Sequence, residues 1–313
     1  MSEPEERRSH HGFEFDTADE ALLRGPVPDQ ALRWVTASLG YGARVLAAEA
    51  LAGGTSSAVH AVLVDTGASR PRELVLRRFV RLDWLAEEPD TATREAEALE
   101  LLAGAELPTP RLVAVDPDGS DAGAPSVLMS RLPGRVEWDP VVVEDFLRAL
   151  AEPLPVIHCV RVSAGGVLPY YRPYPVRMRR PPARAARPDV WERGFDVLDG
   201  KSPSDERLFV HRDYHPGNVL WEQGRVSGIV DWVNASIGSP WADVGHCRVN
   251  IASELGQEAA DRFLDLYRAV SGRTDEYHPY WDISATVGGL DEDADAQPSP
   301  ADELFLAAAV VRL

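Results

Sequence analysis

The segment LFVHRDYHPGNVLWEQGRVSGIVDWVNA, residues 208–235, sets two demands against each other. Its Val, Leu, Ile and Trp suit a sheet with a buried face, where β-branched and aromatic side chains pack well. Into the same run it inserts His211, Asp213, Asn218 and Asp231, and a buried polar group left without a partner costs about 1–3 kcal/mol. A fold that accepts this stretch must give each of these groups a structural partner or a chemical task. RLFV, NVLW and VSGIV read as three short strands, the last two joined by EQGR, whose Gly224 suits a tight turn. With Gln223 and Gly224 as a two-residue loop, Glu222 opposes Arg225 and Asn218 opposes Ile229. Side chains alternate with period two, so Asn218 and Asp231 then share a face, roughly 7 Å apart. A three-residue loop with a bulge would change that parity.

An amide oxygen and a carboxylate on one edge are hard ligands of the kind that hold Mg²⁺ beside phosphate groups. Asp213 precedes Asn218 in a loop left through Pro216-Gly217, a place from which a carboxylate can take the proton of an attacking hydroxyl. The spacing H-R-D-x-x-x-x-N, then a strand and a second Asp, matches phosphoryl-transfer sites. The bland alternative is that Asp213 caps a turn and Asp231 ends a strand; four matching positions in order favour the chemical reading. His211 and His215 stand four apart, but the ion expected here prefers oxygen, so His211 reads as a brace bonded to backbone. Asp243, in PWADVGH, reads likewise as a brace for the loop backbone.

The segment HRDYHPGNVLW…GIVDW resembles the aminoglycoside phosphotransferase family, at motif level over about residues 208–245 and at pattern level over 45–135. The resemblance implies an α+β, two-lobed protein-kinase-like fold: a small, mostly antiparallel β lobe with one key helix, and a larger, mostly helical lobe. It also implies Asp213 as catalytic base, Asn218 and Asp231 as metal ligands, Mg²⁺, and ATP or GTP as co-substrate. The family usually has glycine where this chain has Arg212, a departure toward the protein-kinase spelling. Family members act on aminoglycoside, choline-like, homoserine-like and macrolide acceptors, so the resemblance leaves the acceptor open.

Triphosphate binding needs a cation in the strand lobe. In ELVLRRF, alternation puts Val75, Arg77 and Phe79 on one face and Leu74, Leu76 and Arg78 on the other, so one arginine faces inward. Glu95 shares a helical stripe with Ala98, Leu99 and Leu102, while Glu97 and Glu100 look outward. A buried carboxylate demands a cation. Kinase-like folds ordinarily use a lysine here, but Lys201 is the only lysine among 32 basic residues and lies elsewhere. The role is assigned to Arg77, with Arg78 as the second register; the alternative is a strand–helix salt bridge with no nucleotide. The loop LAGGTSSAV resembles a nucleotide-covering turn, with Gly54, Thr55 and Ser56 near the phosphates. VLMSRLPG resembles the hinge, with backbone at Ser130 and Leu132 meeting the base.

The rest of the chain sets boundaries. Residues 1–15 read as a disordered tail, 16–132 as the nucleotide-binding lobe and 133–313 as the catalytic and acceptor-binding lobe. A helix is expected over 27–39, a second at TREAEALELLAG, a hairpin over 110–134 and helices beyond 135. The Pro- and Arg-rich stretch 161–190 reads as an irregular solvated excursion, and LDEDADAQ as a solvated loop. A net charge of −18 argues against a nucleic-acid partner and suits a small cationic acceptor. Cys159 and Cys247 support neither a disulfide framework nor a zinc site. No leader or membrane span is evident, so a cytoplasmic enzyme is expected; oligomeric state is not legible. The expectation is a small-molecule kinase acting on a hydroxyl acceptor. Its rivals are a nucleotide-binding module without catalysis and a protein kinase, for which the chain after Asp231 has too short an activation segment.

Overall fold

A computed structural model of the chain describes residues 17–51, 57–162, 165–176, 179–290 and 298–313. The expected tail, the acidic stretch 291–297 and the turn of Gly54, Thr55 and Ser56 lie outside the described residues. The chain divides into two compact units, residues 1–96 with 111–131, and residues 97–110 with 132–313. None of the described helices is long and apolar enough to cross a membrane.

In chain order the first unit holds α1 (Thr17–Arg24), α2 (Asp29–Leu39), β1 (Arg44–Ala50), β2 (Ala58–Asp65), β3 (Arg72–Arg78), α3 (Leu82–Glu87), the start of α4 (Thr91–Leu102), β4 (Leu112–Asp116) and β5 (Ser126–Ser130). Its five strands form an antiparallel sheet in the order β1-β2-β3-β5-β4. One face is closed by α2, whose Trp34 and Val35 pack with Val62, Val64, Leu74, Leu76 and Leu128. That contact decides the facing of β3: Leu74 and Leu76 point to α2, so Val75 and Arg77 point to the other side. The β4–β5 connection is ordered by Asp116, whose carboxylate accepts from the backbone N–H groups of Gly119, Asp121 and Ala122. This is the Asp/Gly turn legible in the sequence, closed by a side chain that replaces missing backbone partners.

The second unit continues with β6 (Arg135–Val136), α5 (Val143–Ala151), α6 (Pro153–His158), α7 (Pro188–Leu198), β7 (Leu208–Val210), β8 (Val219–Glu222), β9 (Arg225–Ile229), β10 (Ser236–Gly238), α8 (Trp241–Leu255), α9 (Gln257–Ser271), α10 (Tyr280–Gly288) and α11 (Pro300–Val311). Its core joins Val190, Trp191 and Phe195 of α7 to Ile283 and Val287 of α10 and Leu306 and Ala309 of α11. A fully buried Arg248 on α8 is tied to the equally buried Asp282 on α10 at 2.9 Å and to the Ala260 carbonyl. Charge and hydrogen bonds on both sides make that burial tolerable.

Two expectations change here. The 161–190 stretch is not simply solvated: Tyr171 N–H donates to the Ile237 carbonyl at 2.8 Å and Ile237 N–H to the Pro169 carbonyl at 2.9 Å, which lays residues 169–171 parallel to β10. Glu97, read as outward-facing, accepts from Val167 N–H and anchors the near end of the same stretch. Both corrections share a cause. A Pro-rich run cannot form its own ladder, so its few N–H groups are bonded by neighbouring elements instead.

Candidate active site

In the first unit the predicted pair forms. Arg77 Nη1 lies 2.8 Å from Glu95 Oε1, with side chains only 6% and 1% exposed, and Arg77 Nε donates to Ser57 Oγ at 2.7 Å. Strand alternation and helix periodicity each placed one member, and the fold brings them together. Arg78 is buried on the opposite face, where burial pulls its pKa below the usual guanidinium value. Ser130 ends β5 with its N–H given to the Arg111 carbonyl at 2.9 Å, so that donor is engaged within the sheet. Leu132, half-buried, belongs to the second unit, where its Cδ1 would lie 3.0 Å from a Cβ built at Gly228.

In the second unit, β7 delivers the chain into the loop 211–215. His211 is fully buried and its Nε2 donates to the Val230 carbonyl at 2.9 Å, which ties the loop to the segment before Asp231. Asp243, in the first turn of α8, is wholly buried and accepts from the N–H of His211 at 2.9 Å and of Arg212 at 2.6 Å. Its third partner is His158, 3.1 Å away. Both residues are the braces that the sequence suggested. The fully buried Tyr214 adds another by donating to the Leu150 carbonyl at 2.8 Å.

Between these anchors Asp213 stays partly open, its side chain 23% exposed. Asn218 Nδ2 donates to the Asp213 main-chain carbonyl at 2.9 Å and lies 3.4 Å from Asp213 Oδ2. Strand parity does not place Asn218 opposite Ile229 as expected. Gln223 (φ 51°) and Gly224 (φ 75°) do form the two-residue turn and Glu222 does oppose Arg225, but the register slips between Leu220 and Trp221. Val219, not Asn218, opposes Ile229. Asp231 has left the strand for the left-handed region, φ 65° and ψ 62°. Its facing is therefore set by a local backbone twist, not by strand alternation.

Two neighbours of Asp213 were not anticipated. His246, one helical turn beyond Asp243 on α8, places Nε2 2.9 Å from Asp213 Oδ1. Tyr174, from the excursion, sets its ring 6.4 Å from that of His246 and beneath the Arg212 guanidinium, 4.4 Å away. Burial opposes the ionised form of Asp213, but the hydrogen bond and charge of His246, then the charges of His215 and His211, outweigh it and hold the carboxyl well below its usual range. Burial, then the charge of Asp213, pushes the Tyr174 phenol far above its ordinary value. Asp213, His215 and His246 each bring one ligand atom within 4.8 Å of the others. There His215 Nδ1 accepts from Gly217 N–H at 3.1 Å and thereby caps the turn Pro216–Asn218. The signal for His246 was available in PWADVGH, since positions three apart share a helix face.

Arg212 explains the departure at its position. It sits at φ 68°, where glycine is at ease and an L-residue is strained. The side chain compensates by lying on Tyr174 and donating from Nη2 to the Arg172 carbonyl at 3.1 Å.

Asn218 and Asp231 fit a magnesium ion in their chemistry. The Asn218 nitrogen is committed to the Asp213 carbonyl, so its oxygen is the atom it offers, and the donors are then an amide oxygen and a carboxylate.

The chain is similar to several known proteins. Acyl-CoA dehydrogenase family member 10 of Mus musculus is 28% identical over 208 residues, 58% of this chain and 19% of that protein. An aminoglycoside 3'-phosphotransferase of Enterococcus faecalis is 30% identical over 73 residues, 23% of this chain and 28% of that enzyme. The chain thus spans under a third of either relative's length. The crystal structure of a thermostable mutant of aminoglycoside phosphotransferase APH(4)-Ia, in ternary complex with ADP and hygromycin B, has the same α+β, protein-kinase-like fold. Its TM-score is 0.63 at 16% identity, covering 90% of this chain and 98% of that one. The model of the phosphotransferase enzyme family matches residues 47–280, the span that holds Arg77, Glu95, Asp213, Asn218 and Asp231, and the chain belongs to that family.

Proposed function

We propose that the chain is a small-molecule kinase, which transfers the γ-phosphoryl of ATP or GTP to a hydroxyl of a small cationic acceptor such as an aminoglycoside. The observation that carries this reading is Asp213: an ionised, partly open carboxylate on a loop whose backbone is pinned by the buried Asp243. In the proposed reaction the acceptor oxygen attacks the γ-phosphorus while its proton passes to Asp213. The bond from that phosphorus to the bridging oxygen breaks, and the electron pair leaves on the nucleoside diphosphate. Asn218 and Asp231 would hold Mg²⁺, which when bound neutralises phosphate charge. Arg77 takes the place of the usual lysine toward the phosphates, its fork oriented by Glu95 and Ser57. Residues 16–132 are read as nucleotide-binding, with Gly54, Thr55 and Ser56 over the phosphates and Ser130 and Leu132 at the base, and residues 133–313 as catalytic and acceptor-binding. The net charge of −18 favours a cationic acceptor.

The test is transfer of labelled γ-phosphate from ATP and GTP, with Mg²⁺ and with EDTA, to a panel of aminoglycosides, macrolides and amino alcohols. Label on one acceptor, lost with EDTA and in Asp213→Asn, is expected. Nucleotide binding with no transfer to any acceptor or to water would convert the reading to a silent binding module. A chain that binds no nucleotide would end it.

A further inference from the structure

We propose that His246 is a positioning residue for the base: its Nε2–H fixes Asp213 Oδ1, so that Oδ2 is the oxygen that meets the acceptor hydroxyl. This rests on the reading of Asp213 as the base. The geometry comes from one helix. Asp243 and His246 lie three apart on α8 and share a face. Asp243 holds the two N–H groups just before Asp213, and His246 holds the Asp213 carboxylate itself at 2.9 Å. Loop backbone and reacting side chain are therefore referenced to the same rigid element, which is how a reacting group is kept in a productive orientation.

The assignment of the two oxygens follows from their partners. At 2.9 Å the imidazole Nε2 facing Asp213 Oδ1 is the donor and the carboxylate oxygen the acceptor. That bond commits Oδ1. Among the described residues Asn218 Nδ2 lies 3.4 Å from Oδ2, and this nitrogen already serves the Asp213 main-chain carbonyl at the better distance of 2.9 Å. Oδ2 is thus the oxygen with room for a strong new hydrogen bond. When the acceptor O–H bond breaks, its proton forms Oδ2–H and its electron pair becomes the new O–P bond, while the His246 hydrogen bond to Oδ1 persists unchanged. The imidazole gains and loses no proton in this step. Its ring is flanked by His215, edge-on at 5.6 Å, and by Tyr174 at 6.4 Å, which confines it without supplying a second carboxylate to draw it away.

The experiment compares His246→Leu, His246→Gln and His246→Asn with Asp213→Asn in the full chain, using Mg²⁺ and ATP with water as acceptor and reading phosphate release. Glutamine can present an amide N–H near the reach of Nε2; asparagine presents it nearer Nδ1. The expected result is a fall in kcat of about 10- to 100-fold for His246→Leu and His246→Asn. The KM for ATP stays within about twofold, and His246→Gln recovers most of the loss. Unchanged kcat in His246→Leu would overturn the proposal, as would equal losses in the Gln and Asn variants or a parallel change in KM. The Gln–Asn contrast keeps the test decisive if the leucine variant does not fold. Asp213→Asn separates the two ideas: full activity there removes the base itself, whereas its loss beside an intact His246→Leu removes only the role given to His246.

Discussion

The chain holds two hydrogen-bonded acid–base pairs of interest, and they are built differently. Arg77–Glu95 in the first unit is closed to solvent, with side chains 6% and 1% exposed; Asp213–His246 in the second unit is open, at 23% and 18%. A closed pair is a structural commitment, since removing one partner leaves a charge buried without its counterion. A partly open pair leaves water able to replace a lost partner, so the larger consequence of breaking it falls on the chemistry of the carboxylate. Substitutions at the two pairs should therefore separate, with stability lost at the first and turnover lost at the second.

The strongest way to sharpen this contrast is Asp213→Asn. The change keeps size and polarity but removes the proton acceptor, and kcat should fall about 10²–10⁴-fold, the usual worth of a positioned general base. The melting temperature should fall far less than when the closed pair is broken. A loss of stability matching the loss of rate would mean that Asp213 is a loop brace after all. Next in size is Glu95→Ala, which leaves Arg77 buried without its carboxylate and should destabilise the protein by about 3–5 kcal/mol, read as a shift in the urea midpoint. The double variant Arg77→Met with Glu95→Leu then discriminates strut from site. Apolar replacement of both members should restore much of that stability, while nucleotide binding should be lost. If the double variant still binds Mg²⁺·ATP like the parent, the pair is a strut only.

The same contrast explains what the sequence made legible. Arg77 and Glu95 each obey the periodicity of their own element, two for a strand and 3.6 for a helix, so each facing could be read locally. The roles of His211 and Asp243 as braces were legible for a related reason: polar residues beside apolar strand and helix positions must bond nearby backbone. The facing of Asp231 was not legible this way, because the slip between Leu220 and Trp221 and the left-handed backbone at 231 break strand alternation. Tyr174 and His246 were missed for another reason. Each meets Asp213 from a distant stretch of chain; helix spacing from Asp243 put His246 on the facing side, whereas no local period reports Tyr174. The 169–174 segment in particular gains its order from β10 and Arg212 rather than from any pattern of its own.

The smallest expected effect concerns that last connection. Arg212→Gly would relieve a left-handed backbone that disfavours L-residues by about 1–2 kcal/mol, and would also remove a buried Nε that has no hydrogen-bond partner. Against this, glycine makes the unfolded chain more flexible, by roughly 0.4–1 kcal/mol. It also deletes the cation–π contact with Tyr174, on the order of 0.5–2 kcal/mol, and the hydrogen bond to the Arg172 carbonyl. The opposing contributions nearly cancel, so global stability should change by no more than about 1 kcal/mol. The local effect should be larger than the global one. Residues 169–176 lose the clamp that holds Tyr174 beside Asp213, and their amide hydrogen exchange should rise while that of α8, anchored by Asp282 and Arg248, stays unchanged. Unaltered exchange in 169–176 would show that pairing with β10 holds the segment by itself, and that the arginine merely tolerates a position built for glycine.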